Sequence, residues 1–333
     1  MIKIVISLIP VFLLLFLLLF LDSLKLVRLS LLISCLCWGI LSAMLCLIIN
    51  TWLLNHIECS FNTYSGFIAP VVEEGFKMIF ILILMKRNRI GFLIDGAIYG
   101  FAVGAAFAFS ENIFYLFHFA GNDGNLTVWI IRGFGTAVMH GGTTAIFGIL
   151  CMGASNRKSP AGFNIFLGLC VAALIHGGFN QFFISPLITT VFIIFGVPLT
   201  IVIVFRGNEK SIRNWMELEF DSEVSLLRMI RHGHFTETKS GIYLQSIKHY
   251  FPAETVMDIY CFIQLHLELS MKAKSYIMLK ENDLEILPDP DIPNKLKELK
   301  ALRHNIGRTG LLAISPVFRM SEKDLWKLSL LPT

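Results

Sequence analysis

Long apolar segments dominate the first two thirds of this chain. A membrane-spanning helix needs about 20 such residues, at ~1.5 Å per residue. Seven segments qualify, namely 4–21, 29–54, 64–85, 92–119, 129–153, 161–184 and 186–205. In lipid, every backbone polar group must find its partner within the protein, which favours helices. The sequence therefore predicts an all-α, polytopic membrane helix bundle.

Charged residues are sparse in this chain and unevenly distributed. Of the 333 residues, 55% are hydrophobic and only 16% are charged, which lies outside the range of soluble globular proteins. Residues up to Arg206 include 11 Lys/Arg and 7 Asp/Glu, whereas the rest of the chain has 17 of each. We therefore predict a transmembrane domain at 1–206 and a cytoplasmic, mainly helical accessory domain at 207–333.

The loops between the apolar segments alternate in basic charge. Lys25 and Arg28, the run at 86–89, the run at 156–158 and the residues from Arg206 onward are basic, whereas the loops between them contain no Lys or Arg. Basic loops stay in the cytoplasm. The pattern predicts seven transmembrane helices with the N-terminus outside and the C-terminus in the cytoplasm. The first segment lacks a small-residue cleavage site, so we interpret it as a span and not as a signal peptide.

The third apolar segment carries charge near its middle, at Glu73, Glu74 and Lys77. Each such charge costs about 2.5–3.5 kcal/mol on insertion, so the segment needs polar partners on other helices. Within the segment, Glu73 and Lys77 are spaced i,i+4 and are expected to form an ion pair.

The fourth apolar segment has a stripe of glycines, Gly96, Gly100 and Gly104, at four-residue intervals. Small residues at this spacing let two membrane helices approach closely. The stripe therefore predicts tight packing against a neighbouring helix, with a channel hinge as the alternative.

Three further polar residues lie deep inside predicted spans, Glu111 in the fourth, His140 in the fifth and His176 in the sixth. Counted from the outer end of each span, these three and Glu74 lie ~12–16 Å deep. Four helices thus carry a carboxylate or imidazole at one level, which predicts a single polar cluster. Gly-Gly follows each His and is expected to leave room beside the imidazole.

Two other polar residues have different expectations. Asn180 follows His176 at i+4 and shares its helix face, so it is a candidate member of the cluster. Arg132 lies about three residues from the outer end of its span, and its side chain is expected to extend to the membrane surface.

Carboxylates and imidazoles at one depth suit two kinds of hydrolysis. His and Glu can hold Zn²⁺ and leave a spare carboxylate as general base. Without a metal, a buried Glu can activate water itself, with His as its partner and Asn or His donating a hydrogen bond to the oxyanion. The zinc-protease motif HExxH is absent, so the residues alone leave both mechanisms open.

Three short motifs occur in order on three predicted helices. EEGFK at 73–77 fits EExxK, FAFSE at 107–111 fits FxxxE, and HGGFN at 176–180 is a His-xxx-polar motif. In order and spacing they resemble the PrsW intramembrane proteases, which share a superfamily with the CAAX prenyl endopeptidases and the immunity-type CPBP membrane proteins. The resemblance covers about residues 60–205.

The resemblance implies an intramembrane endopeptidase of the bacterial cytoplasmic membrane. Its substrate would be a single-span membrane protein such as an anti-sigma factor, cut near the outer face. The implied catalytic set is Glu73, Glu74, Glu111, His140, His176 and Asn180. If a metal such as Zn²⁺ is used, the implied ligands are Glu74, Glu111, His140 and His176.

Two points limit the transfer from the family. The CAAX enzymes have His where this chain has Glu111, and the family is described both as metallo- and as glutamate-type. The domain at 207–333 exceeds the minimal family pattern, and we expect it to recruit or regulate.

Two other functions fit membrane carboxylates and imidazoles. An ion-coupled transporter places such groups along its path, although this chain shows no repeat between halves and no matching Gly/Pro breaks. A noncatalytic scaffold or immunity-type protein would use them only to hold helices together. The expected partners are the lipid bilayer and a single-span membrane protein, with no nucleic acid.

Overall fold

The computed structural model consists of helices and connecting segments. It describes residues 2–20, 22, 27–119, 125–155, 161–181, 183–282, 284–285, 287, 289–316, 318 and 322–331, and these contain no β-strand. The chain divides into two compact units, Met1–Asn208 and Glu209–Thr333. The predicted domain boundary lies two residues before this division.

The main helices of the first unit follow one another with short connections. They are α1 (Ile2–Phe20), α2 (Leu29–His56), α3 (Ala69–Lys86), α4 (Leu93–Phe119), α5 (Ala137–Ser155), α6 (Ala161–Gln181) and α7 (Pro186–Arg231). The residues of α7 after Asn208 belong to the second unit. A π-helical segment leads directly into α3 at Tyr64–Ile68 and into α5 at Ile131–Thr136. Such π-helical turns are frequent at functional sites.

Six helical segments in the described part of the chain are long and apolar enough to cross a membrane. They are Ile2–Phe20, Leu29–His56, Leu93–His118, Leu126–Gly153, Gly162–Gln181 and Pro186–Gly207. The predicted third span is also helical, as α3, but it lies outside this group because of its charged residues. The count of seven spans and the orientation stay predictions. Lys25 and the loops at 121–124 and 156–158 lie outside the described residues.

Helix α4 forms the centre of the first unit and packs against α1, α2, α3 and α5. Its glycine stripe lies on the backbone of α5. A Cβ atom at Gly104 would lie 2.1 Å from the carbonyl oxygen of His140, and one at Gly100 would lie 2.4 Å from that of Thr144. The prediction of close helix packing is confirmed, and this packing holds His140 directly beside α4.

The helices that carry the predicted polar residues are mutual neighbours. Helix α3 packs against α2, α4, α5 and α6, and α5 packs against both α4 and α6. Side chains from four helices can therefore meet at one place inside the unit.

The second unit has its own hydrophobic core. Its helices after α7 are α8 (Lys239–Ile247), α9 (Ala253–Glu281), α10 (Ile292–Ile314) and α11 (Glu322–Ser329). Phe235, Ile259, Phe262 and Leu302 are among the buried residues of this core. The described residues of this unit are mainly helical, and a cytoplasmic accessory domain at 207–333 stays a prediction.

Candidate active site

Glu74 on α3 lies at the centre of the polar cluster and is fully buried. Its Oε1 accepts hydrogen bonds from Lys77 Nζ at 2.6 Å, Thr143 Oγ1 at 3.1 Å and His176 Nδ1 at 2.8 Å. Its Oε2 is buried and has no hydrogen-bond partner among the described residues. The carboxylate is thus held firmly by one oxygen, and the other is free to accept a proton or a ligand.

His140 on α5 is held from both sides of its ring. Its Nδ1 lies 3.2 Å from Lys77 Nζ, and its Nε2 lies 3.0 Å from Glu111 Oε2. An ammonium group can only donate and a carboxylate can only accept. The network therefore assigns the tautomer, because Nδ1 must accept from Lys77 and the Nε2–H must donate to Glu111.

Glu111 on α4 uses its second oxygen to bind Arg132. Arg132 Nη2 lies 3.2 Å from Glu111 Oε1, and Arg132 Nε donates to Asn112 Oδ1 at 3.1 Å. The guanidinium carbon lies 3.5 Å from the centre of the Tyr115 ring. The expectation that Arg132 extends to the membrane surface is wrong, because α4 supplies it with an anion, an amide and an aromatic face inside the bundle.

Glu73 on α3 points toward α2 and α6. Its Oε1 accepts from Asn50 Nδ2 at 3.0 Å, and its Oε2 lies 3.7 Å from His176 Nε2. Tyr64 in turn donates its hydroxyl to Asn50 Oδ1 at 2.9 Å. The predicted ion pair between Glu73 and Lys77 is wrong, because Lys77 pairs with the neighbouring carboxylate at i,i+3. Both spacings lie on one helix face, so contacts with other helices decide between them.

His176 and Glu73 are arranged to share a cation. Because His176 Nδ1 donates to Glu74, its Nε2 carries a lone pair, and this nitrogen lies 3.7 Å from Glu73 Oε2. Two metal–ligand bonds of about 2.0–2.1 Å can bridge that distance. Glu73, His140 and His176 each offer a ligand atom, all within 4.8 Å of one another. Two imidazoles and one carboxylate fit Zn²⁺, and His140 would release one of its hydrogen bonds to join them.

The structure brings together five of the six residues predicted for the site, namely Glu73, Glu74, Glu111, His140 and His176. The sixth, Asn180, donates its side-chain amide to the Ser65 carbonyl at 3.0 Å. The group with close ligand atoms includes Glu73 in place of the predicted ligands Glu74 and Glu111. Each of those two carboxylates instead accepts a hydrogen bond from an imidazole.

The glycines beside the two His residues mostly serve packing. A Cβ atom at Gly141, Gly142 or Gly177 would lie 2.2–2.6 Å from a neighbouring atom, whereas at Gly178 nothing lies within 4 Å. The expectation that both Gly-Gly pairs leave room beside the imidazole is therefore wrong except at Gly178. Their main effect is to let α5 and α6 approach their neighbours.

Two carboxylates of the cluster are partly exposed. The side chains of Glu73 and Glu111 are 17% and 28% exposed, whereas those of Glu74, His140 and His176 are buried. A molecule entering the site would therefore first meet the carboxylates of Glu73 and Glu111.

Comparison with known proteins agrees with this arrangement. A family model described as PrsW family intramembrane metalloprotease matches residues 28–205, a range that includes α2 and every residue of the cluster. No curated protein and no solved structure matches the chain significantly. The family match covers more than half of the sequence and extends beyond the motifs to the helix that carries Asn50. The chain therefore belongs to the PrsW family of intramembrane metalloproteases.

Proposed function

We propose that this chain is a zinc-dependent intramembrane endopeptidase that hydrolyses a peptide bond of a membrane-anchored protein. Membership of the PrsW family supports peptidase activity. The observation that carries the proposal is the approach of His176 Nε2 to Glu73 Oε2, at 3.7 Å, on a ring whose Nδ1 is bonded to Glu74 at 2.8 Å. One imidazole thus joins a cation site to a carboxylate that has one free oxygen.

Glu73, His140 and His176 are the proposed zinc ligands. These residues would hold Zn²⁺ through two imidazoles and a carboxylate, and the bound ion would supply a Lewis acid for the peptide carbonyl and lower the pKa of water. Glu111 and Glu74 accept hydrogen bonds from the two rings at 3.0 Å and 2.8 Å. In metal sites this carboxylate–histidine arrangement fixes the orientation of the ligating imidazole.

Glu74 is the proposed general base. Three donors hold its Oε1, so the direction of Oε2 is fixed, and Oε2 is free to take a proton from water. A positioned base of this kind contributes about 10²–10⁴-fold to the rate. Asn180 uses one amide hydrogen on Ser65. Its second hydrogen is our candidate for binding the developing oxyanion.

We further propose a single-span substrate, such as an anti-sigma factor, in a bacterial cytoplasmic membrane. The depth of ~12–16 Å from the outer face, counted along the helices, supports a cut in the outer half of the bilayer. The basic loop pattern supports a cytoplasmic location for residues 207–333.

Two isosteric variants of adjacent residues test the proposal. Peptide ends of the membrane proteome are compared in cells expressing wild type, Glu73→Gln or Glu74→Gln at matched levels, and zinc is measured in each purified protein. New ends in a single-span protein should appear only with the wild type. Glu74→Gln should abolish cleavage but weaken zinc binding only about 10–100-fold, because Glu74 also holds the His176 ring. Glu73→Gln removes a proposed ligand and should lose zinc as well as activity.

Two outcomes would contradict parts of this proposal. Full cleavage by metal-free wild-type protein would replace the zinc mechanism by the glutamate-type one. Identical peptide ends for wild type and Glu74→Gln would contradict the endopeptidase itself.

A further inference from the structure

The Arg132 side chain lies in the π-helical segment that precedes α5 and contacts three residues within about one turn of α4. Its guanidinium lies 3.2 Å from Glu111 Oε1, donates to Asn112 Oδ1 at 3.1 Å and covers the Tyr115 ring at 3.5 Å. The side chain is only 13% exposed. Arginine is permanently charged, so the approach of Nη2 to Glu111 is an ion pair, and the bond from Nε to Asn112 holds the guanidinium in place.

Glu111 is contacted twice by the same helical run. Arg132 binds its Oε1, and His140, further along the chain, binds its Oε2 at 3.0 Å. The terminal torsion of a glutamate is broad, so one contact leaves the carboxylate plane free to turn. Two contacts on opposite oxygens fix that plane, and with it the direction of the bond to His140.

The charge balance of the cluster adds to this argument. The carboxylates of Glu73, Glu74 and Glu111 are accompanied by two cations, Lys77 and Arg132. Lys77 already donates a hydrogen bond to Glu74 and compensates its charge. Without Arg132, Glu111 would therefore depend on the His140 ring alone, and the ring would face a mobile, uncompensated carboxylate.

We propose that Arg132 is a positioning residue that acts through Glu111 to fix the orientation of the His140 ring. It contacts no reacting group itself. This inference rests on the proposed function only in assigning His140 a part in the reaction. A merely structural role, in which Arg132 ties its own segment to α4, would alter stability but leave the His140 ring as it is.

The test compares histidine ¹⁵N NMR spectra of the full metal-free chain in detergent at one pH. His140 is assigned by its loss in His140→Gln. Wild type and Arg206→Gln, a matched arginine exposed at the end of the last apolar segment, should show a single His140 tautomer with hydrogen on Nε2. Arg132→Gln should show a shifted and broadened His140 Nε2 signal, because the Glu111 carboxylate is then free to turn. Arg132→Lys should give an intermediate spectrum, because it keeps the charge but loses the bond to Asn112.

Kinetics on a cleaved substrate provide a second readout. Arg132→Gln should lower kcat about 10–100-fold with KM unchanged, the usual cost of losing a group behind a metal-ligating histidine. If Arg132 acts through Glu111, the double variant Arg132→Gln/Glu111→Gln should be no worse than Glu111→Gln alone.

Three results would overturn the inference. These are a wild-type His140 spectrum in Arg132→Gln, additive losses in the double variant, and, should Arg132→Gln not fold, a wild-type spectrum in Arg132→Lys. If the wild-type protein cleaves nothing, the proposed function fails, but the spectra still decide the role of Arg132.

Discussion

Each unit of the molecule contains a buried cluster of charge, and the two clusters are built differently. In the second unit, Glu223 lies 3.0 Å from Lys274 and 3.1 Å from Lys327, and both lysines are fully buried. Ser270 also donates to this carboxylate at 2.6 Å. In the first unit, three carboxylates meet two imidazoles as well as two cations.

The difference shows which components make a buried cluster capable of chemistry. Ammonium and hydroxyl groups around Glu223 can hold one carboxylate in place. Imidazole can donate, accept or bind a metal, and it changes charge near neutral pH. Together with the free Oε2 of Glu74, the two imidazoles give the membrane cluster functions that the lysine cluster lacks.

The largest expected effect comes from removing the anion of the lysine cluster. Glu223→Ala leaves two buried ammonium groups without their carboxylate, so the second unit should lose about 3–5 kcal/mol of unfolding free energy. Denaturant unfolding of the full chain, with the buried Trp326 as a fluorescence probe, measures the loss. Zinc content should not change.

Glu298→Ala is the matched control for this variant, because Glu298 is exposed on the same unit. It should cost less than about 1 kcal/mol. An equally small loss for Glu223→Ala would mean that water reaches the lysine cluster. Burial would then not distinguish Glu223 from the exposed Glu298.

Much of the membrane cluster could be predicted from the sequence. Helix periodicity and span ends place Glu74, Glu111, His140 and His176 at one depth, and the structure brings them together. The glycine stripe on α4 likewise predicted the close approach to α5. Both predictions depend only on regular helix geometry.

The partners of the cluster could not be predicted in the same way. Asn50 and Arg132 contact carboxylates on other helices, 23 and 21 residues away in the chain, and no local spacing encodes those contacts. A single Arg near a span end normally extends to the surface, and the contacts of Arg132 with Glu111, Asn112 and Tyr115 override this. For Lys77, two carboxylates lie at permitted helical spacings, so the partner depends on the Asn50 contact to Glu73.

The second prediction concerns the close packing of α4 against α5 beside the membrane cluster. A methyl group at Gly104 would meet the His140 carbonyl at 2.1 Å, so Gly104→Ala must push α5 away from α4. We expect a loss of about 1–3 kcal/mol, typical of overpacking, together with reduced zinc affinity. Thermal unfolding in detergent and zinc titration measure the two effects.

Gly196→Ala serves as the control, because a Cβ atom there meets nothing within 4 Å. It should unfold at or slightly above the wild-type temperature, since alanine favours the helix. Wild-type zinc affinity in Gly104→Ala would show that the cluster tolerates displacement of His140. The close packing of α4 against α5 would then not be needed for zinc binding.

A smaller effect is expected from the contact between α2 and the cluster. Asn50→Ala removes the donor to Glu73 Oε1 and should weaken zinc binding about tenfold, the lower end of the range for such supporting groups. Competition with a zinc chelator measures the Kd. Thr51→Ala alters the next residue, which bonds only its own helix at the Leu47 carbonyl, and should bind zinc like wild type. Equal Kd values for both variants would remove Asn50 from the site.

The smallest effect should come from an ion pair in the second unit whose two side chains are each 30% exposed, in contrast to the buried clusters. A hydrogen bond from Lys272 holds the pKa of Asp289 below its ordinary value of 3.8. A carboxyl whose pKa is lowered by folding stabilises the folded state above that ordinary value, and the contribution disappears as the pH falls through the lowered one. The difference in stability between wild type and Asp289→Asn should therefore be small at neutral pH, because water and salt screen the pair. It should vanish on acidification.

A difference that persists to about pH 2 would have to come from packing. In that case, a difference in burial would not explain why this pair contributes less to stability than the clusters around Glu223 and Glu74.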